Sequence, residues 1–395
     1  MTGDGVAGDG VTGDPATVDG VAGDRATSFG DLTTMRVGGV PTTIVAPETT
    51  DALLAEARRV WYETDDEWFV LGGGSNTVAA DDAIDATVIR VVTRGIERLD
   101  APDGRIRLRV AAGEPWDTLV QHTVENGWSG FEALSGIPGS TGASPIQNIG
   151  AYGQEVASTV TSVDFLDFDS GDFLRIPASN LELGYRTSVF KAGRRGLVTA
   201  VEFELADDGG RSAQIAYPQL AAALGVGEGD RVSVAEVRAS VLELRAAKGM
   251  VLDPADRDSV SSGSFFTNPI VSAATALALP SDAPRWSTAT TTEPEARAVA
   301  LGDEPAPPPP VPPQSVATRY KLSAAWLIEH AGVSRGFALP GSGAAISSKH
   351  TLAITNRGHA SAADVTELAR YVQSRVAAEF GVVLQPEPVL LGISL

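Results

Sequence analysis

Three short clusters in this chain carry side chains able to do polar chemistry. The first is Gly184-Tyr185-Arg186-Thr187-Ser188-Val189-Phe190-Lys191. A guanidinium among aromatic neighbours suits a planar carboxylate or a phosphate, because its fork offers two parallel N–H donors. Taken alone, the same pattern reads as a surface arginine. The second is Ser262-Gly263-Ser264-Phe265-Phe266-Thr267-Asn268-Pro269. It does not match GxSxG and has no histidine close by, so a hydrolase serine is poorly supported. The third is Gln385-Pro386-Glu387-Pro388-Val389, a glutamate pinned between prolines. In isolation it reads as a rigid turn near the C-terminus.

Two glycine-rich stretches give these clusters something to act on. The longer, Gly130 to Gly153, holds six glycines and two prolines and follows no helical or strand period. Phe131, Leu134, Ile137, Ile146 and Ile149 punctuate it, which a flexible linker would not need. Glycine-dense backbone with apolar anchors suits close approach to a ligand. Its freed N–H groups can form an anion-binding concavity suited to a pyrophosphate. A long structural loop between two strands is the alternative. The shorter stretch, Leu71-Gly72-Gly73-Gly74-Ser75-Asn76, follows a strand expected at Trp68 to Leu71. It is not the dinucleotide fingerprint, which must open a helix; here more strand-like sequence follows. Together the two loops could clamp the ends of a long nucleotide cofactor.

Composition narrows the partners. The 395 residues, 43% hydrophobic, suffice for two or three domains with real cores. A net charge of −20 argues against nucleic acid or anionic membrane. An anionic small molecule stays open, because local arginines can override the mean field. With no cysteine there is no disulfide, thiolate metal site, cysteine nucleophile or cysteinyl–flavin bond. Four histidines give no expectation of a histidine-rich metal site. No apolar run approaches the ~20 residues of a membrane span. The first residues lack the basic-then-apolar order of a secretory signal, so the expected location is the cytoplasm.

The elements that must position these groups are mixed in type. Met1 to Thr27 repeats a glycine–aspartate phrase with single valines and is expected to be disordered. Calcium-binding repeats are the alternative, but the spacing misses their nonapeptide pattern. The folded part should open near Phe29. A helix is expected over Asp51 to Trp61 with Thr50 as its cap, and strands at Trp68–Leu71 and Ala86–Val91. Ile106, Leu108 and Val110 alternate as in a half-buried strand. Pro115 to Glu125 reads as a helix ended by Gly127. Strands follow at Ser162–Phe168 and Leu197–Leu205, then a helix opened by the capping box Ser233-Val-Ala-Glu236, with Val237, Val241 and Leu244 on one face. Pro280 to Val316 is rich in proline, threonine and alanine and reads as an extended surface excursion. Leu322 to His330 reads as a short helix. Ser361 to Phe380 reads as a long one, with Val365, Leu368, Val372 and Val376 as its stripe and Gly381 at its end.

Seven phrases occur in a fixed order: Thr34-Met-Arg-Val-Gly-Gly39, LGGGSN, GIPGSTGASPIQNIGAYG, GYRTSVFK, GSFFTNP, KLSAAWLIEHAG and LQPEPVLLG. In that order the chain resembles the UDP-N-acetylenolpyruvoylglucosamine reductase family of flavoenzymes, from about Asp31 to Gly392. The resemblance implies an α+β protein. Two α+β subdomains form an FAD-binding unit of the vanillyl-alcohol-oxidase/PCMH type, and a C-terminal α+β domain covers the substrate. The corresponding division is a tail at 1–27, subdomains at 28–94 and 95–247, and a substrate domain at 248–395 with an insert at about 280–316. The family oxidises NADPH and reduces UDP-N-acetylglucosamine enolpyruvate to UDP-N-acetylmuramate, a peptidoglycan precursor. Hydride reaches C3 of the enolpyruvyl group and a proton reaches C2.

Carried over motif by motif, the resemblance makes Ser264 the proton donor and gives Arg186 and Glu387 the charge that develops on the enolpyruvyl group. Gly72, Gly73, Gly74, Ser75 and Asn76, with Ile137, Pro138, Gly139, Ser140, Thr141 and Gly142, would cradle the FAD diphosphate. Gln147, Asn148 and Gly153 would line the flavin. No histidine or cysteine lies in these loops, so the FAD is expected to be non-covalent. Tyr185, Tyr217, Lys248, Asn268 and His350 would contact the substrate; a packed surface histidine is the alternative at His350. Two rival readings remain. Another flavin oxidase or dehydrogenase would keep both glycine loops without needing GSFFTNP or Glu387. A nucleotide-binding module without catalysis would not need Ser264, Arg186 and Glu387 together.

Overall fold

A computed structural model describes residues 26–288 and 318–395. The glycine–aspartate repeat and the proline-rich core of the insert therefore lie outside the described residues. The chain begins its first core at Phe29, which is fully buried. A three-stranded parallel sheet follows, in the order Pro41–Val45, Ile84–Arg90, Glu67–Leu71. The helix Thr50–Glu63 crosses between its first two strands in sequence. Thr49, not Thr50, caps this helix: its Oγ1 accepts the Ala52 N–H at 3.3 Å. The cap falls one residue early because Thr49 keeps the extended backbone that Ncap requires, whereas Thr50 is already helical.

The second unit is an antiparallel sheet in the order Phe173–Pro177, Val160–Asp167, Gly196–Asp207, Arg105–Ala111, Ile96–Leu99. Trp128–Ser129 pairs with the end of the long central strand. Ile106, Leu108 and Val110 all point inward, as their alternation implies. They meet Leu53, Val60 and Trp61 from the first unit's helix and Trp116, Leu119 and Val120 from the helix Trp116–Glu125 in one continuous core. Pro115 is the Ncap of that helix, one residue before the position expected. Gly127 leaves it at φ +73°, a conformation glycine adopts at no steric cost.

The third unit is built on the helix Ala362–Phe380. Ser361 caps it through a reciprocal box with Asp364, and Val365, Leu368, Val372 and Val376 are fully buried. Gly381 ends it in the left-handed conformation. A small antiparallel sheet runs Ile270–Ser272, Arg319–Leu322, Arg285–Thr288. The stretch read as a surface excursion thus begins as a strand, Arg285–Thr288, whose partner lies beyond the insert.

Contacts tie the units together. Val389–Leu391, near the C-terminus, pairs in parallel with Thr77–Ala79, the strand that follows the GGGSN loop. Met35, Val37 and Val78 pack into the core of the third unit. Among the described residues no helix is long and apolar enough to cross a membrane.

Candidate active site

The two glycine stretches face each other across a cleft of about 620 Å³. Their contact is too close for side chains. A Cβ on Gly73 would stand 2.7 Å from the Gly139 Cα, and one on Gly72 would stand 2.3 Å from the Ser140 Oγ. Ser75 Oγ donates to the Pro138 carbonyl at 3.0 Å and pins one loop to the other. The N–H groups of Gly72 to Asn76 donate to no protein acceptor among the described residues, and neither do those of Ile137, Gly139 and Ser140. Converging free donors on glycine backbone form an anion seat. This cradle fits the diphosphate of FAD, and the apolar walls given by Leu71, Val91, Ala112 and Val198 fit its flat rings.

At one end of the same cleft stand Ser264, Arg186, Glu387, Gln147 and Lys191. They come from four chain segments, and backbone geometry brings them together. Phe265 N–H donates to the Leu352 carbonyl at 2.7 Å, and Glu387 N–H donates to the Phe265 carbonyl at 2.9 Å. The serine loop is thereby stitched to the glutamate turn. Asn76 Nδ2 donates to Gln147 Oε1 at 2.8 Å and to the Glu387 carbonyl at 3.2 Å, so the short glycine loop ends on both. Arg186 sits at φ +54°, which costs a non-glycine residue about 1 kcal/mol. Its Nη1 and Nη2 hold the carbonyls of Asn148 at 3.2 Å and Gly150 at 3.0 Å, which fixes the guanidinium. Its Nε lies 3.2 Å from Glu387 Oε1. The Ser264 hydroxyl has no hydrogen-bond partner among the described residues and is only partly buried, so it is available to a ligand.

Electrostatics at this end are strained by burial. Burial pushes the Glu387 carboxyl above the usual glutamate range, against the pull of Arg186 and Lys191. Burial likewise lowers the Lys191 ammonium. Sequence reasoning missed two further groups that line the cleft. Arg245, near the end of the helix Val234–Ala246, is pushed down to about 10 by burial, and its Nε–H has no partner. Ser262 Oγ is also buried and unpartnered. Local sequence marks neither group, because burial and a missing partner are set by the fold.

Tyr217, Lys248 and His350 form a second group outside the cleft lining. Tyr217 packs edge-on against Tyr152 at 5.6 Å, and Lys248 Nζ stands 5.3 Å from the Tyr152 ring. The His350 imidazole is pushed down to about 4 by burial and then by the charges of Lys248 and Arg335. In a chain of net charge −20, this local run of cations is the place suited to an anionic ligand.

Five further assigned residues lie outside the lining of the main cleft. Asn148 is buried, donates to Glu155 Oε2 and the Gly184 carbonyl, and does not line the cleft. Its amide is consumed in holding the turn at φ +46°, and only its carbonyl serves the site, through Arg186. Thr141 is fully buried and bonds back to the Glu114 carbonyl. Gly153 lies against Ala216 and Tyr217. Asn268 Oδ1 caps the helix Ala324–His330 by accepting the Ala324 N–H at 2.9 Å. Tyr185 and Asn268 line a neighbouring groove of about 670 Å³ that shares only Arg186 and Lys191 with the main cleft.

The fold and cleft define a flavin-nucleotide-binding protein: two α+β units joined by glycine loops, closed at one end by a third. Profile comparison agrees over both regions. Residues 41–177 match the FAD binding domain and residues 253–391 match the UDP-N-acetylenolpyruvoylglucosamine reductase C-terminal domain. The chain is 63% identical to the UDP-N-acetylenolpyruvoylglucosamine reductase of Leifsonia xyli subsp. xyli, over 92% of this chain and 98% of that one. Identity to the enzyme of the same name from Saccharopolyspora erythraea is 47%, over 92% and 94% of the two chains. The crystal structure of the Thermus caldophilus reductase superposes with a TM-score of 0.57 at 25% identity, covering 92% of this chain and 97% of that one. The chain belongs to the UDP-N-acetylenolpyruvoylglucosamine reductase family.

Proposed function

We infer that this chain catalyses the NADPH-dependent reduction of UDP-N-acetylglucosamine enolpyruvate to UDP-N-acetylmuramate, a step in peptidoglycan precursor synthesis carried out in the cytoplasm. Bound FAD supplies the ring that takes hydride from NADPH and hands it on. The observation that carries the reading is the meeting of Ser264, Arg186 and Glu387 at one end of the cleft that the two glycine loops line. A plain nucleotide-binding module has no use for that meeting.

Each residue has a task that its surroundings permit. The fixed Arg186 guanidinium binds the substrate carboxylate and stabilises the charge that gathers as C3 is reduced. The Ser264 hydroxyl, free of hydrogen-bond partners among the described residues, donates the proton that C2 requires. Gly72 to Ser75 and Ile137 to Ser140 hold the FAD diphosphate through backbone N–H groups. Gln147 orients Glu387. The cationic group of Lys248, Arg245 and Arg335, with Tyr217 beside it, takes the substrate diphosphate, and His350 packs against it uncharged at neutral pH.

The test is direct. The purified protein should show a flavin absorption spectrum, and NADPH oxidation should depend on added enolpyruvyl substrate. Oxidation sustained by oxygen alone, indifferent to that substrate, would assign the chain to an oxidase on the same fold.

A further inference from the structure

Glu387 sits among cations without being satisfied by any of them. Its Oε1 lies 3.2 Å from Arg186 Nε and 3.4 Å from Gln147 Nε2. The Arg186 Nε–H is buried, yet it is not aligned on the carboxylate and has no hydrogen-bond partner among the described residues. The other nitrogens of that guanidinium are committed to backbone carbonyls. Lys191 Nζ reaches only the Glu387 main-chain carbonyl, at 3.4 Å. The charged and titratable groups facing the carboxyl are therefore Arg186 and Lys191, with Tyr185 beside them. Burial favours the neutral acid, and the two cations oppose it. The charge of Arg186 is the larger of the two pulls toward the anion, and burial opposes it.

A substrate carboxylate needs the same guanidinium, and Arg186 lines the cleft into which it would come. Two carboxylates sharing one cation in a closed site do not both stay ionised, because like charges at close range raise the affinity for a proton. We propose, building on the active-site reading above, that Glu387 takes up one proton from solvent when a carboxylate-bearing ligand engages Arg186. Lys191 is the positioning residue that keeps Glu387 ionised until then. Only an O–H bond forms, and no electrons move. The neutral acid can then donate a hydrogen bond towards the enolate-like charge that an ionised Glu387 would repel.

The proton count is measurable without turnover. The oxidised holoenzyme is titrated with UDP-N-acetylglucosamine enolpyruvate by calorimetry, at one near-neutral pH, in buffers of different ionisation enthalpy. The slope of heat against buffer enthalpy should give about one proton taken up per site. UDP-N-acetylglucosamine, which has the diphosphate but no carboxylate, should give a slope near zero. Glu387→Gln should bind the enolpyruvyl substrate with no uptake. Lys191→Met should show reduced uptake, because its Glu387 is already partly protonated before binding, and Lys191→Arg should restore it. Flavin absorbance checks that each variant is folded and loaded. Binding without uptake in the unaltered enzyme overturns the proposal, and so does uptake that persists in Glu387→Gln. Full uptake in Lys191→Met removes Lys191 from it. No binding heat from either ligand overturns the substrate assignment, a failure distinct from binding without uptake.

Discussion

Ser264 is the residue where chemistry and packing separate most cleanly. Its hydroxyl makes no hydrogen bond to the described residues, so removing it should cost little stability. In Ser264→Ala, loss of flavin colour on adding NADPH should proceed at close to the normal rate, since that step needs no proton at C2. Recovery of colour on adding the enolpyruvyl substrate should slow by roughly 10²–10⁴-fold, the usual weight of a positioned proton donor. Stopped-flow absorbance reads both phases; equal slowing of the two would make Ser264 a cofactor-positioning residue. His350 makes a different prediction at the same scale. Its folded pKa is about 4 against an ordinary 6.5, so between these values the unfolded chain binds more protons. Its contribution therefore strengthens as pH rises from 4 to 6.5 and is flat above. The difference is worth roughly 3–4 kcal/mol at about 1.4 kcal/mol per unit. Denaturant midpoints of His350→Gln should lose that part of the slope; an unchanged slope would mean that the ring is protonated in the fold. Ser264, Arg186 and Glu387 were legible because their motifs recur in order. Arg245 was not, because what marks it is burial and a missing partner, and neither is written in local sequence.

Elements with a strong period or a cap were legible, and those defined by contact were not. The Ala362–Phe380 helix announces itself by stripe, capping box and terminal glycine. The strand Arg285–Thr288 does not, since its partner Arg319–Leu322 lies some thirty residues on and local composition there is that of a loop. The glycine loops were read as ligand-facing, but their mutual contact was invisible. That contact is the basis of a prediction. Gly73→Ala would drive a methyl to 2.7 Å from the Gly139 Cα, where only backbone can yield, and would part the two halves of the cradle. Gly227→Ala meets only the Asp230 carboxylate at 3.4 Å and serves as a control. Flavin-to-protein absorbance ratios after gel filtration should fall well below the parent for Gly73→Ala alone. Full retention would show that the loops tolerate separation and that the cradle does not depend on their contact.

At the scale of the whole molecule, the chain closes on itself through the flavin unit. Val389 N–H donates to the Asn76 carbonyl at 2.9 Å, and Ala80 N–H donates to the Leu391 carbonyl at 2.8 Å. Leu391 is buried with Phe29, Leu32, Leu71, Ala79 and Val88, the core beneath the short glycine loop. In the other direction, Asn356 Nδ2 holds the carbonyls of Met35 and Arg36 at 3.1 and 3.2 Å. The Asp81 carboxylate accepts from the first N–H groups of the Ala362–Phe380 helix at 2.7 and 2.9 Å. A linear division of the sequence hides this, because a strand of three residues with no period of its own pairs with one that lies some three hundred residues earlier. Leu391→Ala removes a buried side chain at about 2–5 kcal/mol and should lower the melting temperature of the whole protein in one transition. It touches none of the groups assigned to chemistry. Yet it should weaken FAD retention, because the strand it anchors fixes Asn76 and, through Asn76, both Gln147 and Glu387. FAD affinity is measured by fluorescence recovery on dilution, beside a thermal melt. Normal FAD affinity with a lowered melt would mean that the C-terminal strand stabilises the fold without shaping the cleft. Two separate melting transitions would mean that the third unit folds independently of the flavin unit.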